Sequence, residues 1–322
     1  MVFGIVHSSV YVYVYQTILV WSIMKFLYRL KNSKWLDLIL LLLVAMVWGT
    51  SYGVAKDAVL YYPVLGFIAL RFCITSIMFL PSGVNLTISE IKSNLKVGVP
   101  LGVILLLIFI SETYGLSKTT ASNSAFLISL YVVFTPFVQW IILREPPTRR
   151  IVIATLLSIV GAFFLSYNQN QSFDLGVGDY LIIFAAAMRG VMVTLTKKLT
   201  QNTSTNTVFL TSIQTGVVGV GCLCLGLIIH FNQLIILPSS ILFWGDVIYL
   251  VIFCTMFAFF AQNFSVKRTS PTKVSLLMGS EPVWGALYAV IVMHESLTMI
   301  GWFGGIIIVT ASLWATVQSK SS

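Results

Sequence analysis

The chain has 322 residues, of which 58% are hydrophobic and 9% charged, and its mean hydropathy is +0.95. A soluble domain carries about 25% charged residues, so this composition excludes a soluble globular protein, a disordered chain and a nucleic-acid binder. The formal net charge of +9 does not gather on one face. The Lys and Arg residues fall in short connections between apolar runs, which is a pattern of membrane orientation and not of an anionic partner.

Residues 1–24 are apolar and could just span a bilayer, but the VYVYVY stretch repeats every second residue, a strand period and not a helical one. One reading is an extra span or a signal anchor. The reading preferred here starts the native chain at Met24, with 1–23 a start-site artefact and 25–34 a basic cytoplasmic segment, so that 1–34 form an N-terminal extension.

A bilayer core needs about 17–25 apolar residues as helix, and buried backbone groups in lipid must bond within their own segment. On that basis the sequence predicts spans at 35–55, 62–80, 97–116, 121–143, 151–167, 178–196, 207–230, 243–264, 274–293 and 299–317. The longest connection, 81–96, begins with turn residues and ends in a short amphipathic piece. Alternate connections hold fifteen Lys and Arg in one set and only Lys56 and Lys118 in the other, with Arg71 and Arg189 left inside spans. This alternation supports ten spans and, by the positive-inside bias, cytoplasmic termini for a chain that starts at Met24.

Soluble chemistry has little to attach to. Cys73, Cys222, Cys224 and Cys254 lie in apolar runs without metal or C-x-x-C spacing, and His7, His230 and His294 are scattered. There is no phosphate-binding G-x-x-x-x-G-K-[ST], so no ATP-driven pump, no cofactor and no metal are expected.

A shift of 150 residues lays 116–133 on 266–283, with identities Thr119/Thr269, Leu127/Leu277 and Val133/Val283. Ile141/Ile291, Glu145/Glu295, Thr148/Thr298 and Phe109/Phe259 also match. The repeat unit is five spans. An odd number forces two tandem copies to cross the membrane in opposite senses, the plan of secondary transporters with a central site between the halves. REPPTRR after the fourth span is basic while its counterpart HESLT has no Lys or Arg, as opposed copies should show. In both, the Glu precedes a helix start, where the dipole favours an anion. The expected fold is therefore an all-α integral membrane protein of ten transmembrane helices in two inverted five-helix repeats, at 35–167 and 178–317.

Particular stretches are familiar: WGTSYGVAK (48–56), PVLGFIALRF (63–72), ETYGLSKTTASNSAFLISLYVVFTPFVQWIILREPP (112–147) and SPTKVSLLMGSEPVWGALYAVIVMHESLT (270–298). Through them the chain, from Trp35 to the C-terminus, resembles the EamA-type ten-helix members of the drug/metabolite transporter superfamily. The resemblance implies a central substrate cavity and export or exchange of small metabolites such as amino acids. In the first helix of the second repeat, where such proteins commonly have an aromatic or small residue, this chain has Arg189.

An ionisable residue at mid-span costs at least about 2.5–3.5 kcal/mol on insertion scales and should face a partner or a wet cavity. The candidates are Arg71, Glu112, Arg189 and Glu281. Counting 1.5 Å per residue, Arg71 and Glu112 fall near the outer boundary and within reach of each other, while Arg189 and Glu281 fall nearer mid-depth. The pairs are either helix-holding salt bridges or functional groups. The functional reading has Arg189 attract an anionic substrate group and Glu281 bind a substrate amine or a coupling proton. Trp48, Tyr131 and Trp284 are the aromatic candidates for lining a pocket, since rings beside an intramembrane charge can stack a cation. Tyr131 and Glu281 are repeat mates, as are Phe134 and Trp284. Pro136 and Pro282, inside spans, read as packing kinks or gating hinges. Gly301, Gly304 and Gly305 read as a packing face, internal or between the protomers of a homodimer.

The leading expectation is a secondary transporter of the inner or plasma membrane, not an enzyme, with a small-molecule substrate and the lipid bilayer as partners. A membrane enzyme on a lipid-linked substrate would use Glu112 or Asp246, around which no dyad is visible. A scaffold without transport would have no need of charges at mid-depth.

Overall fold

A computed structural model describes residues 34–119, 121–166, 175–229, 231–292 and 298–317. The expectations for residues 1–33, including the basic segment that begins at Lys25, and for Glu295 lie outside them. The chain divides into two compact units at Ile39/Leu40. Of the first, only residues 34–39, the opening of a helix, are described; the site and all of the repeats beyond those opening residues lie in the second, Leu40–Ser322.

No strand occurs among the described residues. The first repeat consists of α1 (Lys34–Tyr61), α2 (Val64–Phe79) with a 3₁₀ turn at Leu80–Gly83, α3 (Ile88–Lys118), α4 (Ala121–Ser129), α5 (Tyr131–Leu143) and α6 (Arg149–Ser166). The second consists of α7 (Val177–Thr200), α8 (Thr207–Ile229), the short α9 (Phe231–Leu234), α10 (Ile241–Tyr249), a π-helical stretch at Leu250–Phe257, α11 (Ala258–Arg268), α12 (Pro271–Met278), α13 (Glu281–Val292) and α14 (Met299–Val317). Among the described residues eight helical runs are long and apolar enough to cross a membrane. α6 and the interrupted α12–α13 pair complete the order of the repeats.

The third span begins earlier than predicted. Residues 88–96, expected as part of a connection, belong to α3, because Thr87 caps it: its Oγ1 accepts from Glu90 N (3.3 Å) while its own N donates to Glu90 Oε2 (2.8 Å). This reciprocal T-x-x-E box satisfies two orphan donors and was present in the sequence.

The fourth and ninth spans are each broken, at Leu130 and at Gly279–Ser280. Under the 150-residue shift these breaks coincide, and Tyr131 and Glu281 each open the second half-helix. Pro282 is consequently not a mid-helix kink. It lies in the first turn of α13, where its missing N–H removes no helical bond. Pro136 does lie inside α5. The helices preceding the broken spans end alike, at Thr119 (φ −135, ψ −177) and Thr269 (φ −129, ψ 178).

The two halves are opposed. Along α2 and α8, Leu65 meets Gly226, Cys73 meets Gly219 and Gly83 meets Phe209, so the helices run antiparallel. At their crossing Ser76 Oγ donates to Ser212 O and Ser212 Oγ donates to Ser76 O, both at 2.9 Å. A shift of 136 residues exchanges the members of the Cys73–Gly219, Ser76–Ser212 and Gly83–Phe209 contacts, which is the signature of a two-fold axis. The same shift lays Thr75-Ser76-Ile77 on Thr211-Ser212-Ile213, an identity that a single 150-residue offset misses. α6 and α14 repeat the antiparallel pairing: a β-carbon at Gly161 would press on Gly304 O, and Arg150 Nη2 donates to Trp314 O (2.5 Å). Gly301, Gly304 and Gly305 are buried inside the chain, so this face is an internal one.

Hydrogen bonds sort the helix ends into two groups. At one end Lys197 Nζ donates to Lys267 O (3.0 Å), Lys198 Nζ to Ile142 O (3.4 Å) and Lys267 Nζ to Thr205 O (2.8 Å). There Gln139 Oε1 also accepts from Thr272 N and Oγ1 at the start of α12, and Gln139 Nε2 donates to Glu145 Oε2 (2.8 Å). Glu145 is thus a partner of Gln139. At the other end Lys56 Nζ donates to Thr119 O (2.7 Å), Thr119 Oγ1 to Asp179 Oδ1 (2.7 Å) and Tyr62 Oη to Leu234 O (2.6 Å). The first end collects the basic residues counted from the sequence.

Candidate functional site

One guanidinium holds the centre. Arg189, on α7, directs Nη1 to both oxygens of Glu281 (3.3 and 3.2 Å) and Nη2 to both oxygens of Glu112 (3.2 and 3.1 Å). Glu112 comes from α3 of the first repeat and Glu281 from α13 of the second, so a residue of the second repeat ties its own half to the other. The three side chains are nearly removed from solvent: relative exposure is 9% for Arg189, 8% for Glu112 and 0% for Glu281.

The walls are aromatic. The Trp48 ring lies 4.8 Å from the guanidinium carbon and the Tyr131 ring 5.9 Å. Both distances suit attraction between a cation and a ring face. Tyr52, one turn beyond Trp48 on α1, donates its Oη to Glu281 Oε2 (3.0 Å). Tyr131 is buried and its Oη has no hydrogen-bond partner.

Local structure explains these placements. Glu281 opens α13, where the positive end of the helix dipole favours a carboxylate. Gly49 lets α1 approach that helix start: a β-carbon there would fall on Glu281 O and within 2.9 Å of Gly285 N. Gly190 touches Phe134 and Thr135, the repeat mates of Trp284 and Gly285, so Gly49 and Gly190 are equivalent. Their neighbours Trp48 and Arg189 are then equivalent too, and these two stack on each other. Phe109 and Phe259, mates under the 150-residue shift, also touch, with ring centroids 5.8 Å apart. Mates in contact mark the pseudo-two-fold axis, so the site straddles it.

Trp48 is fixed from behind by the π-helical stretch. Its Nε1 donates to Cys254 O (2.8 Å) and Cys254 Sγ reaches Val47 O (3.6 Å). Thr255 Oγ1 donates five residues back to Leu250 O (2.8 Å). Widening the helix frees carbonyls for outside donors, as π-bulges near functional sites do.

Five of the seven predicted residues come together: Arg189, Glu281, Glu112, Trp48 and Tyr131. Arg71 does not pair with Glu112 as its depth suggested. Its Nε donates to Thr255 Oγ1 (2.6 Å) and its guanidinium lies 5.3 Å from the ring centroids of Phe72 and Phe109, while Arg189 takes Glu112. Trp284 packs its Cβ against Gly49 and its Nε1 has no hydrogen-bond partner; no contact ties it to the guanidinium. Tyr52 was missed, although an i, i+4 step from Trp48 places it on the same helix face. Asp246 is half-buried and lies within electrostatic reach of Asp57, apart from the Arg189 cluster. Among the described residues no group of three His, Cys, Asp or Glu could hold a metal.

A buried, charged, aromatic-walled centre on the axis between two antiparallel sets of apolar helices defines the class: a membrane protein built from inverted repeats, with transporter architecture. The profile of the EamA-like transporter family matches residues 35–167 and again 176–317. The chain belongs to the EamA-like transporter family. It is 27% identical over 281 residues to an uncharacterized transporter of Archaeoglobus fulgidus, covering 86% of this chain and 85% of that one. A second uncharacterized transporter, of Methanothermobacter thermautotrophicus, is 24% identical over 200 residues, 61% of this chain and 57% of the other. A crystal structure titled only as that of a protein shares the fold, with TM-score 0.72 at 16% identity, over 88% of this chain and 98% of the other.

Proposed function

We propose that the chain is a secondary active transporter of small metabolites, with amino acids among the candidates, working by alternating access around the Arg189 centre. The observation that carries this reading is one buried guanidinium bridging carboxylates from two opposed repeats. Rocking one half against the other would remake those bonds, and ligand groups could take either partner's place. The repeats are assigned to 35–167 and 178–317, with α6 and α12–α13 counted as spans to give ten. The positive-inside bias puts the basic end, and with it both termini of a chain starting at Met24, in the cytoplasm of a cell with this protein in its inner or plasma membrane. Export or exchange is the direction drawn from the family. Arg189, Glu112, Glu281, Trp48, Tyr131 and Tyr52 are assigned to substrate binding; Arg71 and Trp284 are assigned to its support. A homodimer would need a face other than the α14 glycines.

The test is counterflow in proteoliposomes loaded with a mixture of amino acids and other small metabolites. Wild-type protein should exchange at least one labelled compound across a closed membrane, and Arg189→Ala should reduce that exchange to the level of empty liposomes while inserting normally. Wild-type flux in Arg189→Ala overturns the site. Substrate turnover without a closed compartment overturns transport in favour of an enzyme.

A further inference from the structure

The charged centre has more acceptors than donors, and this asymmetry says what kind of group it is built to receive. Two carboxylates offer about eight lone-pair positions. Among the described residues they are served by three donor groups, Nη1 and Nη2 of Arg189 and the Oη of Tyr52. Each guanidinium nitrogen splits between two oxygens at 3.1–3.3 Å instead of forming the short parallel fork of a well-matched pair, about 2.7–2.9 Å. Only one guanidinium, that of Arg189, hydrogen-bonds the two carboxylates among the described residues, while Arg71 acts on Glu112 from further off. Arg71, the other cation nearby, spends its Nε on Thr255 and occupies neither carboxylate. Buried acceptors left short of donors are costly. An anion entering here would meet a guanidinium whose two terminal nitrogens are already taken, and would have to displace a carboxylate from it.

We infer that the group this centre recognises in its ligand is a positively charged nitrogen, an ammonium or guanidinium, held jointly by Glu112 and Glu281 against the faces of Trp48 and Tyr131, with Tyr131 Oη free to bond a polar atom beside it. The Arg189 head group sits where such a ligand group belongs, between two carboxylates and on aromatic rings, so the ligand's cation takes over carboxylate oxygens that Arg189 now shares. This departs from the part of the sequence expectation in which Arg189 attracted an anion and extends the part in which Glu281 bound a substrate amine. It rests on the transporter reading only for the ligand's role as cargo; binding itself is independent of flux.

The test uses the full-length protein in detergent and a set of compounds alike in shape and different in charge: benzylammonium, benzyl alcohol and benzoate, with ethylguanidinium as a second cation. Thermal unfolding is followed with each in large excess, because a ligand that binds only the folded state stabilises it by mass action. At least one cation should raise the melting temperature and neither the alcohol nor the anion should. Glu112→Gln and Glu281→Gln, which keep the side-chain volume, should each weaken the cation's apparent affinity about tenfold or more. Stabilisation by benzoate equal to that by the cations, or cation binding unaltered in both Gln variants, overturns the proposal. So does a wild-type protein that exchanges an anionic metabolite in liposomes while no cation stabilises it; that result would leave transport standing and remove the cationic ligand.

Discussion

Arg189 is buried with two carboxylates for partners, and its worth is best read by asking what its removal leaves. Arg189→Ala strands Glu112 and Glu281 together in a site closed to water. Breaking a buried ion pair from one side costs about 3–5 kcal/mol, and here two buried carboxyl groups lose their shared cation. The expected outcome is a marked loss of stability in Arg189→Ala that Glu281→Gln, introduced beside it, partly reverses. A double-mutant cycle followed by thermal unfolding should give a coupling energy of about 0.5–3 kcal/mol between the two positions. Additive losses would mean that Arg189 does not act on Glu281. Arg189→Lys should not restore the wild-type state, because an ammonium cannot serve two carboxylates with the fixed fork of a guanidinium. Composition alone flagged every one of these ionisable residues, since a charge inside an apolar run is conspicuous. Their pairing was not legible. Counting residues along each span gives depth along the helix axis but not which way a side chain faces, so Arg71 and Glu112 looked matched while α7 in fact turns Arg189 toward Glu112.

At the scale of elements, the decisive features are the matched breaks in the fourth and ninth spans and the close approach of α1 to the second of them. The break at Gly279–Ser280 exposes the start of α13, and Glu281 takes that position. Gly49 makes the approach of α1 feasible, since no β-carbon fits against Glu281 O and Gly285 N. Gly49→Ala should therefore push α13 away from α1, lengthening the Tyr52–Glu281 hydrogen bond and moving Glu281 from Arg189. Overpacking of this kind costs about 1–3 kcal/mol. The measurable outcome is a lowered melting temperature together with weakened ligand binding, whereas Gly53→Ala, one turn along with only the Tyr288 ring at 4.0 Å, should change neither. Equal effects at the two positions would show that Gly49 is ordinary helix surface. The sequence contained the T-x-x-E cap that extends α3 and the glycines that permit close packing. It did not reveal the π-helical stretch, because one extra residue per turn over Leu250–Phe257 leaves no mark in the hydrophobic periodicity of a uniformly apolar run.

For the whole molecule, the opposed arrangement follows from two independent symmetries, the 136-residue relation between α2 and α8 and the 150-residue relation over α3–α6 and α11–α14. They differ because the second repeat carries extra residues at the end of α8 and in the connection through α9. An alignment at one fixed offset found the later helices and lost Thr75-Ser76-Ile77 against Thr211-Ser212-Ile213. The physical consequence of inversion is that equivalent residues face opposite compartments, and Arg149 and Met299 provide the test. Both are exposed, they open α6 and α14, and the 150-residue shift maps one onto the other. Arg149 lies at the basic end, beside the Arg150–Trp314 contact, and Met299 at the other end of antiparallel α14. In a chain whose four native cysteines are replaced by alanine, Arg149→Cys in intact cells should resist a membrane-impermeant maleimide and Met299→Cys should react with it. Permeabilisation should expose the first and leave the second unchanged. Labelling of both from the same side would place equivalent helix starts in one compartment, and neither the two-fold axis nor a site shared between opposed halves would survive that result.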